Sequence, residues 1–145
     1  MEGTVFLDKR ALELMDERFG CDTLISLATL NEGEPAVRIV NSYYEKGSFY
    51  TITHALSNKM RQIATNPSVA ISGDWFTGRG TGENLGRPTD PANTVLMAKL
   101  RKAFASWYEN GHTDESDPNT CILRIRLKSG VLFSHGTRYD IDFSD

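Results

Sequence analysis

The feature that most constrains the fold is a series of short β-strand patterns separated by tight turns. The clearest pattern occupies residues 121–128, where apolar and basic side chains alternate one by one. Such alternation is typical of an antiparallel strand with one face in the core and the other in solvent. Further strand patterns occupy residues 23–29, 36–43, 49–53 and 68–76. Because helical segments interrupt these strands and do not alternate with them, the sequence predicts a mainly β, antiparallel barrel with added helices.

Two longer patterns predict helices. Residues 7–19 repeat apolar side chains at helical spacing, with Asp8 as the N-cap, and residues 90–108 do the same after the N-cap Asp90 and Pro91. The expected buried stripes are Ala11, Leu14, Met15 and Phe19 in the first helix, and Leu96, Leu100, Ala103, Phe104 and Trp107 in the second.

Several short segments predict turns and loops. Glu45–Ser48 is expected to join two strands as a hairpin, and Ser129–Gly130 is expected to turn the chain after residue 128. The polar segment 109–119 contains His112 beside three acidic residues, but their spacing matches no zinc or calcium loop, so we expect a solvated loop and no metal.

The composition excludes several functional classes. Charged residues make up 24% of the 145 residues and the net charge is −3, so no overall basic surface suggests nucleic acid binding. No apolar run approaches the roughly 20 residues of a membrane-spanning helix, and the N-terminus lacks the pattern of a signal peptide. The two cysteines, Cys21 and Cys121, form no framework of disulfides. We therefore expect a single domain (residues 1–145) in the cytoplasm, with no membrane partner and both thiols reduced.

The segment from Arg38 to Pro67 carries the strongest functional pattern: a strand with one inward Arg, a hairpin, a second strand and a short helix. Ser57 is a suitable N-cap for that helix, and Lys59 follows on its first turn. A cation near the helix N-terminus is repelled by the positive end of the helix dipole, and an anion bound between the two relieves this repulsion. The spacing therefore suggests a phosphate pocket of Arg38, Ser57 and Lys59, although a solvated Lys, an ordinary N-cap and an Arg in a surface ion pair give the same pattern.

The motifs R-I-V-N-S-Y, F-Y-T-I-T and S-N-K-x-x-x-I-A-x-N-P, in this order, resemble the flavin-binding segment of the FMN-binding split-barrel proteins. These are the pyridoxamine 5'-phosphate oxidase-like group, and the resemblance is to its short, general-stress-protein-26-like branch. It covers nearly the whole chain and implies a six-stranded antiparallel split barrel. One position departs from the oxidases, since Asn58 stands where they often have a second Arg beside the Lys, which implies a weaker phosphate clamp.

The resemblance also implies a cofactor site. Arg38, Ser57 and Lys59 would bind the phosphate of FMN, and Thr53 and His54 would contact the ring or the ribityl chain. His54 fits a hydrogen-bonded loop histidine equally well. The glycines at 78, 80 and 82 predict a bulge or close packing, with a backbone contact to the flavin as the alternative. The remaining cofactor residues implied are Ile39, Val40, Asn41 and Ser42, whose backbone, with the Asn41 side chain, would line the pyrimidine edge of the ring, and Asn58.

No Ser-His-Asp or Cys-His arrangement is identifiable, so in an enzyme the cofactor must carry the reaction. The family resemblance implies an FMN-dependent oxidoreductase of a small molecule, with NAD(P)H as a candidate electron donor and the flavin at a homodimer interface, where Trp75 or His135 of the second subunit could contribute. The alternatives are a flavin carrier or sensor without turnover, and a split barrel that binds haem or another cofactor. The ending H-G-T-R-Y-D-I-D-F departs from the Arg-His pattern of the vitamin B6 oxidases, so we expect no such activity.

Overall fold

The computed structural model describes residues 3–110 and 113–144, and the side chains from residue 9 onward within those ranges. His112 therefore lies outside the described residues. The helices are α1 (Gly3–Phe19), α2 (Asn58–Thr65) and α3 (Thr94–Ala103), and a single 3-10 turn, Pro91–Asn93, precedes α3. The strands are β1 (Thr23–Asn31), β2 (Glu34–Glu45), β3 (Ser48–His54), β4 (Ser68–Gly73), β5 (Phe76–Asn84), β6 (Thr120–Ser134) and β7 (Thr137–Asp142).

The strands form one antiparallel sheet in the order β3-β2-β1-β4-β5-β6-β7. An additional pairing of β3 with β6, from Ser48 opposite Arg126 to His54 opposite Thr120, closes six of the strands into a barrel. The seventh strand, β7, continues the sheet from β6 through residues 129–134. The prediction of a six-stranded antiparallel barrel with added helices is confirmed.

Two hairpin turns, one at each end of β2, set the register of β1, β2 and β3. The turns Glu32–Gly33 and Lys46–Gly47 have positive φ at both central residues, as the right-handed twist of two-residue hairpins requires. The first turn places Asn31 opposite Glu34, so that Leu27 comes to lie opposite Arg38.

The strand predicted over residues 68–76 is interrupted by a turn at Asp74–Trp75, where Trp75 has a φ of 52°. The predicted turn at Ser129–Gly130 is wrong, because β6 continues through both residues. A Cβ at Gly130 would lie 2.5 Å from the ring of Phe76, so this glycine is needed for close packing. At Gly80 a Cβ would lie 2.2 Å from the carbonyl oxygen of Arg126, so packing also accounts for the glycine of β5 beside the bulge.

The barrel interior is filled by apolar side chains from every strand, closed at one side by α1, where Ala11, Leu14, Met15 and Phe19 are buried as predicted. The helix α1 begins at Gly3, about one turn before the predicted N-cap Asp8, whose own side chain lies outside the described part. The prediction for α3 was too long, because the helix ends at Ala103 and the chain then continues as turns to residue 110. The side chains of α3 and of these turns that are buried on the outer face of the barrel are Met97, Leu100, Phe104 and Tyr108.

Among the helices described, none is both long and apolar enough to cross a lipid bilayer. Within the same residues, His, Cys, Asp and Glu side chains form no group of three that could hold a metal ion.

Candidate functional site

Arg38 lies on the inward-facing side of β2, as its alternation with Val37 and Ile39 predicts. Its guanidinium donates to Thr29 Oγ1 (2.7 Å), to the carbonyl oxygen of Leu27 (3.2 Å) and to Gln62 Oε1 (3.2 Å). All these acceptors are neutral, and among the described residues no carboxylate lies within 4.0 Å of Arg38. Burial lowers the pKa of this guanidinium. The side chain is thus oriented by hydrogen bonds while its charge remains uncompensated.

Lys59 is a second cation at the same corner. It lies on the first turn of α2, is half-buried, and forms no ion pair within the described part of the chain. Burial lowers the pKa of its ammonium group, and the nearby positive charge of Arg38 lowers it further. Two half-buried cations that repel each other favour an anion nearby, because partial burial of a charge without an opposite partner costs stability.

Ser57 occupies the N-cap position of α2, as predicted, with extended backbone angles. Its hydroxyl makes no capping hydrogen bond, and Ser57 Oγ is buried without a partner among the described residues. The first N–H groups of α2 likewise have no acceptor within the helix. A buried hydroxyl, a helix N-terminus and two cations form a donor set that fits a phosphate group with two negative charges.

The outer strand edge beside this corner is also unusual. β2 pairs with β1 from Glu34 to Ser42, but with β3 only from Tyr43 to Glu45. The Glu34–Ser42 segment therefore has one edge without a strand partner in the described structure, which is the split in the barrel. Backbone N–H and C=O groups along such an edge can hydrogen-bond a planar polar ligand. Residues 39–42, predicted to line a ring edge, belong to this segment.

The side chains of the predicted cofactor residues differ in their environment. Val40 packs against the barrel core, Ser42 Oγ donates to the carbonyl oxygen of Thr23 (2.9 Å), and Ile39 is 68% exposed on the outer face. The Asn41 amide donates to Asp22 Oδ1 (3.2 Å). The side chains of Val40, Asn41 and Ser42 are thus engaged within the chain, which leaves the backbone of the segment available to a ligand.

Thr53, His54 and Asn58 surround the corner on the side of β3 and α2. Thr53 lies opposite Cys121, whose buried thiol has a raised pKa that the charge of Lys59 partly offsets. The His54 ring accepts from the Leu56 N–H (3.3 Å) and lies 3.6 Å from the Asp117 carboxylate, the arrangement of a hydrogen-bonded loop histidine. Asn58 Oδ1 accepts from Arg61 and is exposed on the outer side of α2.

Sequence reasoning missed two residues of the corner, Thr29 and Gln62, which orient Arg38 and also share a 2.5 Å hydrogen bond. Thr29 could have been found, because a two-residue turn at Glu32–Gly33 puts it opposite Ala36, on the same face as Arg38. Nothing in the sequence distinguishes Gln62 from an ordinary polar helix residue.

A closed antiparallel barrel with one split strand edge, flanked by an unpaired basic corner, defines the class of small split-barrel proteins. The chain belongs to the pyridoxamine 5'-phosphate oxidase family, whose family profile matches residues 12–132.

Relatives of the chain carry several different names. It is 28% identical to "General stress protein 26" of Bacillus subtilis (strain 168) over 114 residues, which are 78% of this chain and 81% of that protein. The fold is shared with an FAD-binding protein of Mesorhizobium loti (TM-score 0.65, 16% identity, 83% of this chain and 91% of that chain). It is also shared with a heme binding protein of Mycobacterium smegmatis (TM-score 0.64, 19% identity, 84% of this chain and 53% of that chain).

Proposed function

We propose that this protein is an FMN-binding flavoprotein of the cytoplasm, an oxidoreductase that uses FMN to oxidise or reduce a small molecule. The observation that carries the proposal is the pair of half-buried cations, Arg38 and Lys59, without a carboxylate partner in the described structure. Members of the family to which the chain belongs generally bind a flavin. FMN ends in a single phosphate with close to two negative charges, which these two cations would balance.

In this proposal each part of the corner has a separate role. Arg38, held in place by Thr29 and Gln62, and Lys59 bind the phosphate, and Ser57 Oγ donates to it. The unpaired edge of β2 recognises the polar edge of the ring through its backbone, as the resemblance implies for residues 39–42. FMN supplies hydride or electron transfer when bound, so the chain's own residues need only bind it, orient it and exclude water.

We further propose that the cofactor lies at a homodimer interface. The outer face of β1 and β2, next to the free edge, carries three exposed apolar side chains: Leu24 (61%), Val37 (69%) and Ile39 (68%). Apolar side chains grouped on one sheet face mark an interaction surface. Val37→Asp, on this face, should shift the protein to monomer in sedimentation velocity and weaken FMN binding with it. A dimer that persists in this variant places the interface elsewhere.

The identity of the cofactor can be tested directly. Mass spectrometry of the small molecule released from freshly purified protein should give FMN, and the protein's absorption spectrum should show flavin bands. Release of FAD, or a Soret band of haem, overturns the FMN assignment. These outcomes matter because relatives of the same fold are described as FAD-binding and as heme binding proteins.

A flavin carrier or sensor without turnover is the second candidate. It is favoured by the contacts of His54, the histidine expected to meet the flavin, because its ring is engaged by Leu56 N and lies 3.6 Å from the Asp117 carboxylate. Rapid bleaching of the bound flavin by NADH or NADPH, followed by reoxidation with a small acceptor, supports the enzyme. A flavin that stays oxidised with both NADH and NADPH supports the carrier. Dithionite, which should bleach the flavin in either case, is the positive control for reduction.

We expect no vitamin B6 oxidase activity. In the C-terminal strand β7 the Arg138 guanidinium is exposed and hydrogen-bonds to Asp140 on the same strand (3.0 Å), so it is already engaged within the chain. Incubation with pyridoxamine 5'-phosphate and oxygen should give no pyridoxal 5'-phosphate above the level of free FMN. Turnover at an ordinary enzymatic rate, about 1 per second or faster, would contradict this prediction.

A further inference from the structure

The basic outer face of β6, which the proposed cofactor site does not use, forms part of a second concave site. A pocket of about 350 Å³ is lined by Lys46, Arg124, Arg126 and Lys128, together with the backbone or side chains of Gly47, Ser48, Thr81, Leu127, Phe143 and Ser144. We propose that this pocket binds a small phosphate-bearing anion with two or more negative charges, such as a diphosphate group.

The floor of the pocket is built by three paired strands. Arg126 of β6 lies opposite Ser48 of β3 on one side and opposite Thr81 of β5 on the other. Residues that face each other in antiparallel strands project to the same side of the sheet, so the Thr81 hydroxyl lies beside the exposed Arg126 guanidinium. On the other side the buried Ser48 hydroxyl accepts a hydrogen bond from Arg124 and holds that side chain at the floor. A hydroxyl and a guanidinium together donate hydrogen bonds to phosphate oxygens in several directions.

The segments at the sides of the pocket carry Lys46 and Lys128. A bulge in β6 opposite Arg79–Gly80 changes the register next to Lys128. Leu127 N donates to Gly47 O (3.0 Å), and Phe143 N donates to Lys128 O (2.8 Å). The β2–β3 turn, which carries Lys46, and the C-terminal segment after β7 are thereby fixed at the two sides of the floor.

The charge balance distinguishes this pocket from an ordinary solvated strand face. Arg124 is compensated, because it donates to Ser48 Oγ (3.0 Å) and lies 3.5 Å from the Glu83 carboxylate. Lys46, Arg126 and Lys128 have no carboxylate within 4.0 Å among the described residues. Three uncompensated cations thus line one small concavity in a chain whose net charge is −3. A concavity of this size fits a small anion better than an extended polymer.

The pocket is separate from the basic corner at α2. Along β6, Cys121 lies near Lys59 and Arg126 is five residues further on, a distance of roughly 16 Å at the usual rise per strand residue. The two sites can therefore be examined independently in one molecule.

The test is a titration with inorganic pyrophosphate, followed by backbone amide chemical shifts and by calorimetry at about 0.15 M ionic strength. Shifts are expected at Gly47, Ser48, Thr81 and Phe143. Arg126→Gln and Lys128→Gln should each lower the affinity about tenfold, because each removes one charge-assisted contact. Lys102→Gln, which removes an exposed cation of α3 outside the pocket, should leave the affinity unchanged.

Three results overturn the proposal. Equal weakening by Lys102→Gln means a general attraction to positive charge, and shifts confined to α2 mean that pyrophosphate binds at the Arg38–Lys59 corner instead. No saturable binding means that the pocket is a solvated surface. Arg126 and Lys128 are both exposed, so a melting curve suffices to show that these variants remain folded.

Discussion

The cations around α3 and the cations at the start of α2 are treated in opposite ways by the same chain. Lys99 and Arg101 are each paired with a carboxylate, Lys99 with Glu45 (2.7 Å) and Arg101 with Glu115 (2.8 Å). Arg38 and Lys59 are half-buried, and among the described residues neither has a carboxylate within 4.0 Å. A paired cation fastens one segment to another, whereas an unpaired half-buried cation is kept at a cost in stability and indicates a ligand site.

The largest effect expected from this difference is on cofactor affinity. Lys59→Ala and Arg38→Ala should each weaken FMN binding about tenfold to a hundredfold, since each removes a charge-assisted contact worth roughly 1.5–3 kcal/mol. Fluorescence quenching of FMN titrated with protein measures the dissociation constant. Lys99→Ala and Arg101→Ala are the matched controls and should bind FMN like the parent. Unchanged affinity in both corner variants would refute the phosphate clamp.

The second prediction concerns the sign of a stability change. Lys59→Met keeps the apolar stem and removes the partly desolvated ammonium group, which has no carboxylate partner in the described structure. The cofactor-free protein should therefore become more stable by about 1 kcal/mol at neutral pH. Lys99→Met should instead lower the free energy of unfolding, by up to about 1 kcal/mol, because it breaks the partly exposed pair with Glu45. Urea unfolding of cofactor-free protein measures both.

The dependence of stability on pH gives an independent check on Lys59. The pKa of Lys59 in the folded protein lies below the ordinary value of 10.5. The cost of burying its charge therefore lowers the free energy of unfolding at every pH where Lys59 is protonated in both the folded and the unfolded protein. As the pH rises through the folded pKa towards 10.5, the folded state loses its proton first and this group's contribution to stability increases. The difference between the parent and Lys59→Met should therefore shrink in this alkaline range. A difference that stays constant to pH 10.5 means that Lys59 is fully solvated.

The position of the corner was predictable from the sequence, but its detailed contacts were not. Alternation in β2 predicted an inward Arg38, and Ser57 before a short amphipathic segment predicted the start of α2. Strand and helix-cap patterns are local, so one sequence reveals them. The acceptors around Arg38 come from β1 and α2, at Thr29 and Gln62, and such contacts depend on how distant elements pack.

The wrong predictions of helix length and of a turn also arose because contacts between distant elements cannot be seen in the local sequence. The sequence favoured a helix to Tyr108, but Trp107 Nε1 donates to Asp22 (2.7 Å) and the Tyr108 hydroxyl to Glu115 (2.5 Å), and these long-range and loop contacts accompany a chain that leaves the helix after Ala103. Ser129–Gly130 resembles a turn because glycine favours turns, yet Gly130 is required by the ring of Phe76. Local propensity was overridden where a side chain from elsewhere needed the space or the hydrogen bond.

The smallest predicted effect concerns the cations near α3 that are paired with a carboxylate. Glu115 accepts from Arg101 and from the Tyr108 hydroxyl, and these bonds lower the pKa of its carboxyl group. Its folded pKa lies below its unfolded value, so its contribution is present above the unfolded pKa and is lost as the pH falls through the folded one. Tyr108→Phe removes one of these bonds and should cost about 0.5–1 kcal/mol in the free energy of unfolding at pH 7.

For this variant the loss should diminish as the pH falls through the lowered pKa of Glu115, because the carboxyl group is protonated in both states only below it. Its affinity for FMN should equal that of the parent, because Tyr108 packs with α3 on the outer face of the barrel, away from Arg38. A drop in FMN affinity as large as that of Lys59→Ala would show that the α3 region and the basic corner are coupled. In that event the presence of a carboxylate partner would not distinguish a cation with a structural role from a cation that binds a ligand.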